Sequence, residues 1–144
     1  MSDSHIDPQR DQFEIFKSLP RDQPIEMLNL VRFREAADYP ADHALAGEKL
    51  SGADAYRNYG KESGPTFSRV GGTIVYRGGF ETVLIGPTDE RWDAVFIARY
   101  PNAGAFLELV TDEDYRKAVV HRQAAVETSR LVRLSPADGG KGFG

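Results

Sequence analysis

The side chains able to move protons in this chain are few and scattered. It has three histidines, His5, His43 and His121, and no cysteine. The lack of thiols removes disulfides, thiol nucleophiles and thiolate metal sites together. Imidazole titrates near neutrality, which makes His121 the natural candidate for a general base. Yet no acidic residue stands three or four positions away to orient its ring, and no serine lies beside it as a nucleophile. A helix-surface or interface histidine is the plainer reading, and His5 and His43 fall in segments read as flexible. No His-x-x-x-His or Glu-x-x-His pair occurs, so no metal or other cofactor is expected. Asn29 sits among apolar neighbours in a strand. There its amide either orients a ligand or bonds to backbone, as buried amides must. Arg32, Arg77 and Arg99 also fall on strands, where they would meet an anionic group through charge-assisted bonds or simply pair with the abundant carboxylates. Tyr59 offers a hydroxyl on a ring that otherwise packs as core. Asn29, Arg32, Tyr59, Arg99 and His121 are therefore the binding candidates.

These residues must be held by elements whose pattern is regular enough to read. Asp7-Pro8 suggests a helix start, with Asp7 as N-cap and Pro8 in the first turn, and Phe13, Phe16 and Leu19 forming one stripe before Pro20. Residues 27–33 read as a strand. The stretch 35–52 reads as a long surface loop. A helix follows from about Ala53, with a kink or break expected at Gly64-Pro65. Residues 73–77 and 80–85 have strand composition, and Gly78-Gly79 between them makes either a two-residue hairpin or a bulge in one long strand. Residues 92–100 form the strongest strand, Pro101-Asn102 opens a helix, and Thr111-x-x-Asp114 resembles a capping box opening another. Ser129 to Leu134 is the last strand. Residues 1–6 read as a frayed terminus and 136–144 as a flexible glycine-rich tail.

The order β-α-β-β-α-β predicts an α+β, ferredoxin-like fold: a four-stranded antiparallel sheet with helices on one face. At 144 residues the chain suits one domain, with its core over about 25–135 and the N-terminal helix over about 8–19. A net charge of -4 argues against nucleic acid, which requires a basic footprint. No apolar run approaches the roughly 20 residues that span a bilayer, and Met1-Ser2-Asp3-Ser4-His5 leads into no signal core. The chain reads as cytoplasmic.

Alternation within the strands carries a further implication. Trp92, Ala94, Phe96, Ala98 and Tyr100 oppose Val95 and Ile97, while Met27, Val31 and Phe33 oppose Leu28 and Leu30. Both faces are apolar, although two helices cover only one. A second copy of the chain is the simplest cover for the other, giving a face-to-face homodimer.

The segments Met27-Leu28-Asn29-Leu30-Val31-Arg32-Phe33-Arg34, Ala55-Tyr56-x-x-Tyr59-Gly60, Gly71-Gly72-x-Ile74-x-Tyr76-Arg77-Gly78 and Trp92-Asp93 through Tyr100-Pro101-Asn102-x-x-Ala105-Phe106 resemble a bacterial domain-of-unknown-function family. That family lies in the dimeric α+β barrel superfamily. Asp112-Glu113-Asp114-Tyr115 and His121-Arg122 fit the same pattern, so the resemblance covers about residues 6–135. It implies two stacked four-stranded sheets from two chains, with one long bulged second strand and the hairpin turn at 86–91. The superfamily includes cofactor-independent monooxygenases, lactone isomerases and haem enzymes, so fold membership does not fix chemistry. Two readings follow. One is a dimer that binds a small anionic or aromatic metabolite and acts on it by proton transfer or cofactor-free oxidation, in a pocket edged by Asn29, Arg32, Tyr59 and Arg99. The other is a non-catalytic metabolite-binding or dimerisation module. Both predict that chelator treatment leaves the melting temperature unchanged; a fall of several degrees, restored by one divalent ion, would reveal a carboxylate metal site.

Overall fold

A computed structural model of the chain describes residues 4–143. Its elements run α1 (Arg10–Ser18), β1 (Ile25–Phe33), α2 (Gly52–Arg69), β2 (Thr73–Gly78), β3 (Ala94–Tyr100), α3 (Ala103–Thr111), α4 (Glu113–Ala125) and β4 (Val126–Leu134). The strands form one antiparallel sheet in the order β2-β3-β1-β4. This is the ferredoxin-like α+β arrangement that the strand and helix pattern predicts.

Alternation along β1 decides what each face touches. Ile25, Met27 and Val31 are buried under the helices, so Leu28, Leu30 and Arg32 turn to the opposite, open face. Two apolar clusters fill the helix side. One gathers Ile25, Met27, Ala98, Tyr100, Phe106 and Leu109; the other gathers Val31, Tyr39, Ala55, Ala124, Ala125 and Val126. Phe96 packs against both. On the open face, Leu28 is paired with Ile97 on one side and Val132 on the other, and Tyr76 is paired with Ile97. An apolar row therefore crosses all four strands, with Tyr76 57% and Val132 42% exposed.

Caps place the helix starts. Ser51 Oγ accepts the Asp54 N–H, and the Asp54 carboxylate accepts the Ser51 N–H, closing a reciprocal capping box at α2. Asn102 caps α3 through the Ala105 N–H. Asp112, not Thr111, opens α4: its carboxylate accepts from the N–H groups of Asp114 and Tyr115, while Thr111 ends α3.

Several expectations are corrected. Asp7 does not cap α1; the helix starts later behind Gln9, and the Asp7 carboxylate accepts from the Gln123 amide instead. Leu19 lies beyond α1 and is exposed. Pro65 neither breaks nor divides α2. It removes one N–H donor, but the inward residues Ala55, Ser63 and Thr66 on both sides of it stay buried. Neither reading of Gly78-Gly79 holds. β2 ends at Gly78, and residues 79–93 return to β3 without forming a strand. The irregularity in pairing falls earlier, between Ile74 and Tyr76. Trp92 precedes β3, and its ring lies against Arg130, which belongs to the open face. Met1, Ser2 and Asp3 of the expected frayed terminus lie outside the described residues, but His5 and Ile6 are tied down. The Ser129 N–H donates to the His5 carbonyl (2.8 Å), the His5 N–H donates to Thr128 Oγ1 (3.0 Å), and Arg122 donates to the Ile6 carbonyl.

One close approach holds the layers together. Gly52 donates to the Arg34 carbonyl, and Arg34 donates to the Ala125 carbonyl. A Cβ at Gly52 would lie 2.1 Å from Arg34 O, 2.8 Å from Arg34 N and 2.9 Å from Ala125 O. All three are backbone atoms that cannot swing aside. Gly52→Ala should therefore destabilise the fold by about 3 kcal/mol, the upper range of overpacking costs, read as a lower urea midpoint at unchanged slope.

Candidate functional site

The only hydrogen-bonded chain of acid, imidazole and phenol among the described residues lies where α2, α4 and the loop after β1 meet. His121, on the α2-facing side of α4, is 5% exposed. Its Nδ1 lies 2.6 Å from Tyr39 Oη, and its Nε2 lies 2.8 Å from Glu62 Oε2. The His43 ring stacks on Tyr39 at 4.7 Å and meets His121 edge-on at 5.8 Å. His43 Nδ1 accepts the Leu45 N–H, which fixes that ring from its own loop. Glu62 is the solvent end of the chain, with its side chain 51% exposed.

The direction of these bonds follows from where protons rest. Burial pushes the Tyr39 phenol above its ordinary range, outweighing a hydrogen bond from Asn58 that lowers it, and the Glu62 charge pushes it further up. Tyr39 is thus protonated at neutral pH and able to donate to Nδ1. In the tautomer that accepts this bond, the ring proton sits on Nε2, facing the Glu62 carboxylate. His121 is consequently not a surface histidine, and the orienting acid that its own helix lacks is supplied by α2. His43 is likewise a packed member of the site.

The other candidates occupy different places. Asn29 lies on the helix side of β1 and donates to the Met27 carbonyl (3.0 Å). Arg32 is on the open face, with Nε 3.3 Å from Glu127. Arg99, paired with Glu26 and Thr73, faces the same way. The strand therefore separates Asn29 from both arginines. Tyr59 points inward, its hydroxyl 2.7 Å from that of Tyr115. Burial, reinforced by the neighbouring phenols, raises the Tyr59 phenol far above its usual range, and burial raises Tyr56 to about 12. Two hollows occur elsewhere: one on the outer side of α1 along Gln9–Ile15, the other of about 250 Å³ between Leu19, Pro24, Ile25 and Arg133.

Tyr39 and Glu62 escape sequence reasoning for different reasons. Tyr39 stands in a stretch with no period at all. Glu62 is visible as an acid three residues beyond Tyr59, at the edge of the inward stripe of α2, but nothing local pairs it with a histidine on another helix.

Residues 43–133, well over half the chain, match the family described as a domain of unknown function, DUF1330. The chain belongs to the DUF1330 family. The matched span includes His43, Glu62 and His121 and begins after Tyr39. The fold is similar to two crystal structures of the RPA0582 protein of Rhodopseudomonas palustris. The methylated form is 52% identical over 96% of this chain and 98% of that one, with a TM-score of 0.89. The other, described as a protein of unknown function, is 52% identical over 94% and 99%, with a TM-score of 0.87. A dimeric protein of unknown function and ferredoxin-like fold from Bacteroides fragilis is 12% identical over 78% and 95%, with a TM-score of 0.47. No curated protein matches this DUF1330 chain.

The buried phenols give the DUF1330 domain an alkaline limit. Tyr39, Tyr56, Tyr59, Tyr100 and Tyr115 all hold their protons more tightly folded than unfolded. The stability this contributes is fully present below the unfolded tyrosine value of about 10 and is lost as pH rises through the folded values. The melting temperature should hold up to about pH 10 and then fall, with tyrosinate absorbance appearing together with unfolding. Tyrosinate absorbance rising well before any loss of structure would contradict this.

Proposed function

We propose that the protein is a homodimer that binds a small anionic or aromatic organic molecule and transfers a proton to or from it, with Tyr39 as the group in contact and His121–Glu62 as its relay. The observation that carries this reading is the continuous chain Tyr39–His121–Glu62. In it a neutral phenol is backed by an imidazole, and the imidazole by a carboxylate that would stabilise its cationic form. The balance of protons is simple. A substrate proton passes to Tyr39 Oη as the phenolic proton passes to His121 Nδ1, leaving an imidazolium beside the Glu62 carboxylate. Reprotonation of the product reverses both moves. His43 and Asn58, which flank Tyr39, would orient the bound molecule. The dimer reading rests on the apolar row across the open sheet face, which a lone subunit would leave in water.

A second reading is favoured by the burial of Tyr39, which is only 8% exposed: the chain would then be a structural latch fastening the loop to α4. Proton exchange separates the two. In deuterated water, the wild-type protein should catalyse deuterium incorporation into at least one member of a panel of small 2-oxo acids and phenols. Tyr39→Phe and His121→Asn should lower that rate by about 100-fold or more, the usual worth of a positioned acid–base group. Exchange that persists undiminished in both variants, or none by the wild type across the panel, leaves only the latch.

A further inference from the structure

The segment between β2 and β3 poses a separate question. Phe80-Glu81-Thr82-Val83-Leu84-Ile85 has strand composition, yet residues 79–93 belong to no strand of the chain. Leu84 and Ile85 are 93% and 92% exposed, side by side. The segment turns at Gly86, whose φ of +151° suits glycine, and the Glu90 N–H donates to the Pro87 carbonyl. It leaves and re-enters the sheet at Gly78 and Ala94, the end at which Val95, Leu30 and Arg130 are paired on the open face.

That end of the sheet also carries cationic side chains. Arg32 and Arg130 lie on the open face there, half-buried and exposed respectively. Arg32 Nε lies 3.3 Å from Glu127, and the Arg130 guanidinium rests on the Trp92 ring. Guanidinium groups bind carboxylates best. The 79–91 segment carries carboxylates, at Glu81, Asp89 and Glu90, around its apolar tip.

We propose that residues 79–91 of one copy form an arm that lies across the open sheet face of a second copy. Leu84 and Ile85 cover the apolar row around Leu28 and Leu30, and arm carboxylates meet the guanidinium groups of Arg32 and Arg130. The proposal rests on the dimer reading given above and adds to it which segment does the covering. Under two-fold symmetry each arm serves the other's sheet, so two apolar tips and two basic corners are buried together.

The absence of cysteine makes a direct test possible. Chains carrying only Leu84→Cys are mixed with chains carrying only Leu28→Cys or only Leu30→Cys, and gently oxidised. A disulfide between unlike chains at one or both positions is the expected result. Alongside it, the Leu84→Asp/Ile85→Asp double variant should keep its far-ultraviolet spectrum and weaken self-association at least tenfold by sedimentation. If the wild type sediments as a monomer, the dimer reading and the arm fail together. If it sediments as a dimer but Leu84→Cys chains link to neither sheet position, or only to one another, the dimer stands and the arm does not. The arm fails in the same way if the double variant dimerises as tightly as the wild type.

Discussion

The meeting of three backbones at Gly52 governs much of what this chain can do. Arg34 there receives the first N–H of α2 and gives its own N–H to the last carbonyl of α4. The end of the first strand is thus clamped between the start of one helix and the end of another, at a distance no side chain tolerates. From this clamp the loop is led back by two further backbone bonds, Ala37 to the Leu50 carbonyl and Asp38 to the Ala124 carbonyl. Tyr39 follows at once and lies against His121. The hydrogen-bonded chain therefore depends on this backbone path as well as on its side chains.

The polar groups under the helices are tolerated for the same reason. A buried imidazole with one unbonded nitrogen costs about 1–3 kcal/mol. His121 avoids this because Tyr39 and Glu62 take one nitrogen each. The paired hydroxyls of Tyr59 and Tyr115 solve the same problem a turn or two away, while Arg122 closes the gap between helix and strand by donating to Ser129 and to the Ile6 carbonyl. Under the helices these polar groups are partnered within the chain. The open sheet face differs: there the apolar row and the side chains of Arg32, Arg99 and Arg130 turn outward.

Elements with a strong period were legible in the sequence, and so were their faces. Met27 and Val31 go inward and Leu28 and Leu30 outward, as alternation requires. The odd spacing of Asn29 and Arg32 separates them across the sheet. What stayed hidden depended on partners remote in sequence. His5 and Ile6 look frayed because nothing local orders them; Ser129, Thr128 and Arg122 do. Pro65 looks like a breaker because a helix in isolation would break there, whereas packing on either side of it keeps α2 whole. Strand composition at 80–85 gave a false strand, since composition says what a segment can pair with, not whether a neighbour is within reach. Tyr39, in a stretch without period, had no signal to offer.

The join between α4 and β4 has no loop at all: the helix ends at Ala125 and the strand begins at Val126. Both residues are fully buried, so the joint has no slack to absorb a change in length. Adding or deleting one residue there would rotate His121 about 100° around the helix axis relative to the sheet, or turn every side chain of β4 to its opposite face. Either way the inward set of one element would meet the wrong surface of the other. Length variation among related chains should therefore gather in the 35–51 and 79–93 connections and be missing from this joint, which works as a rigid crank between His121 with its hydrogen-bonded partners and the edge of the sheet.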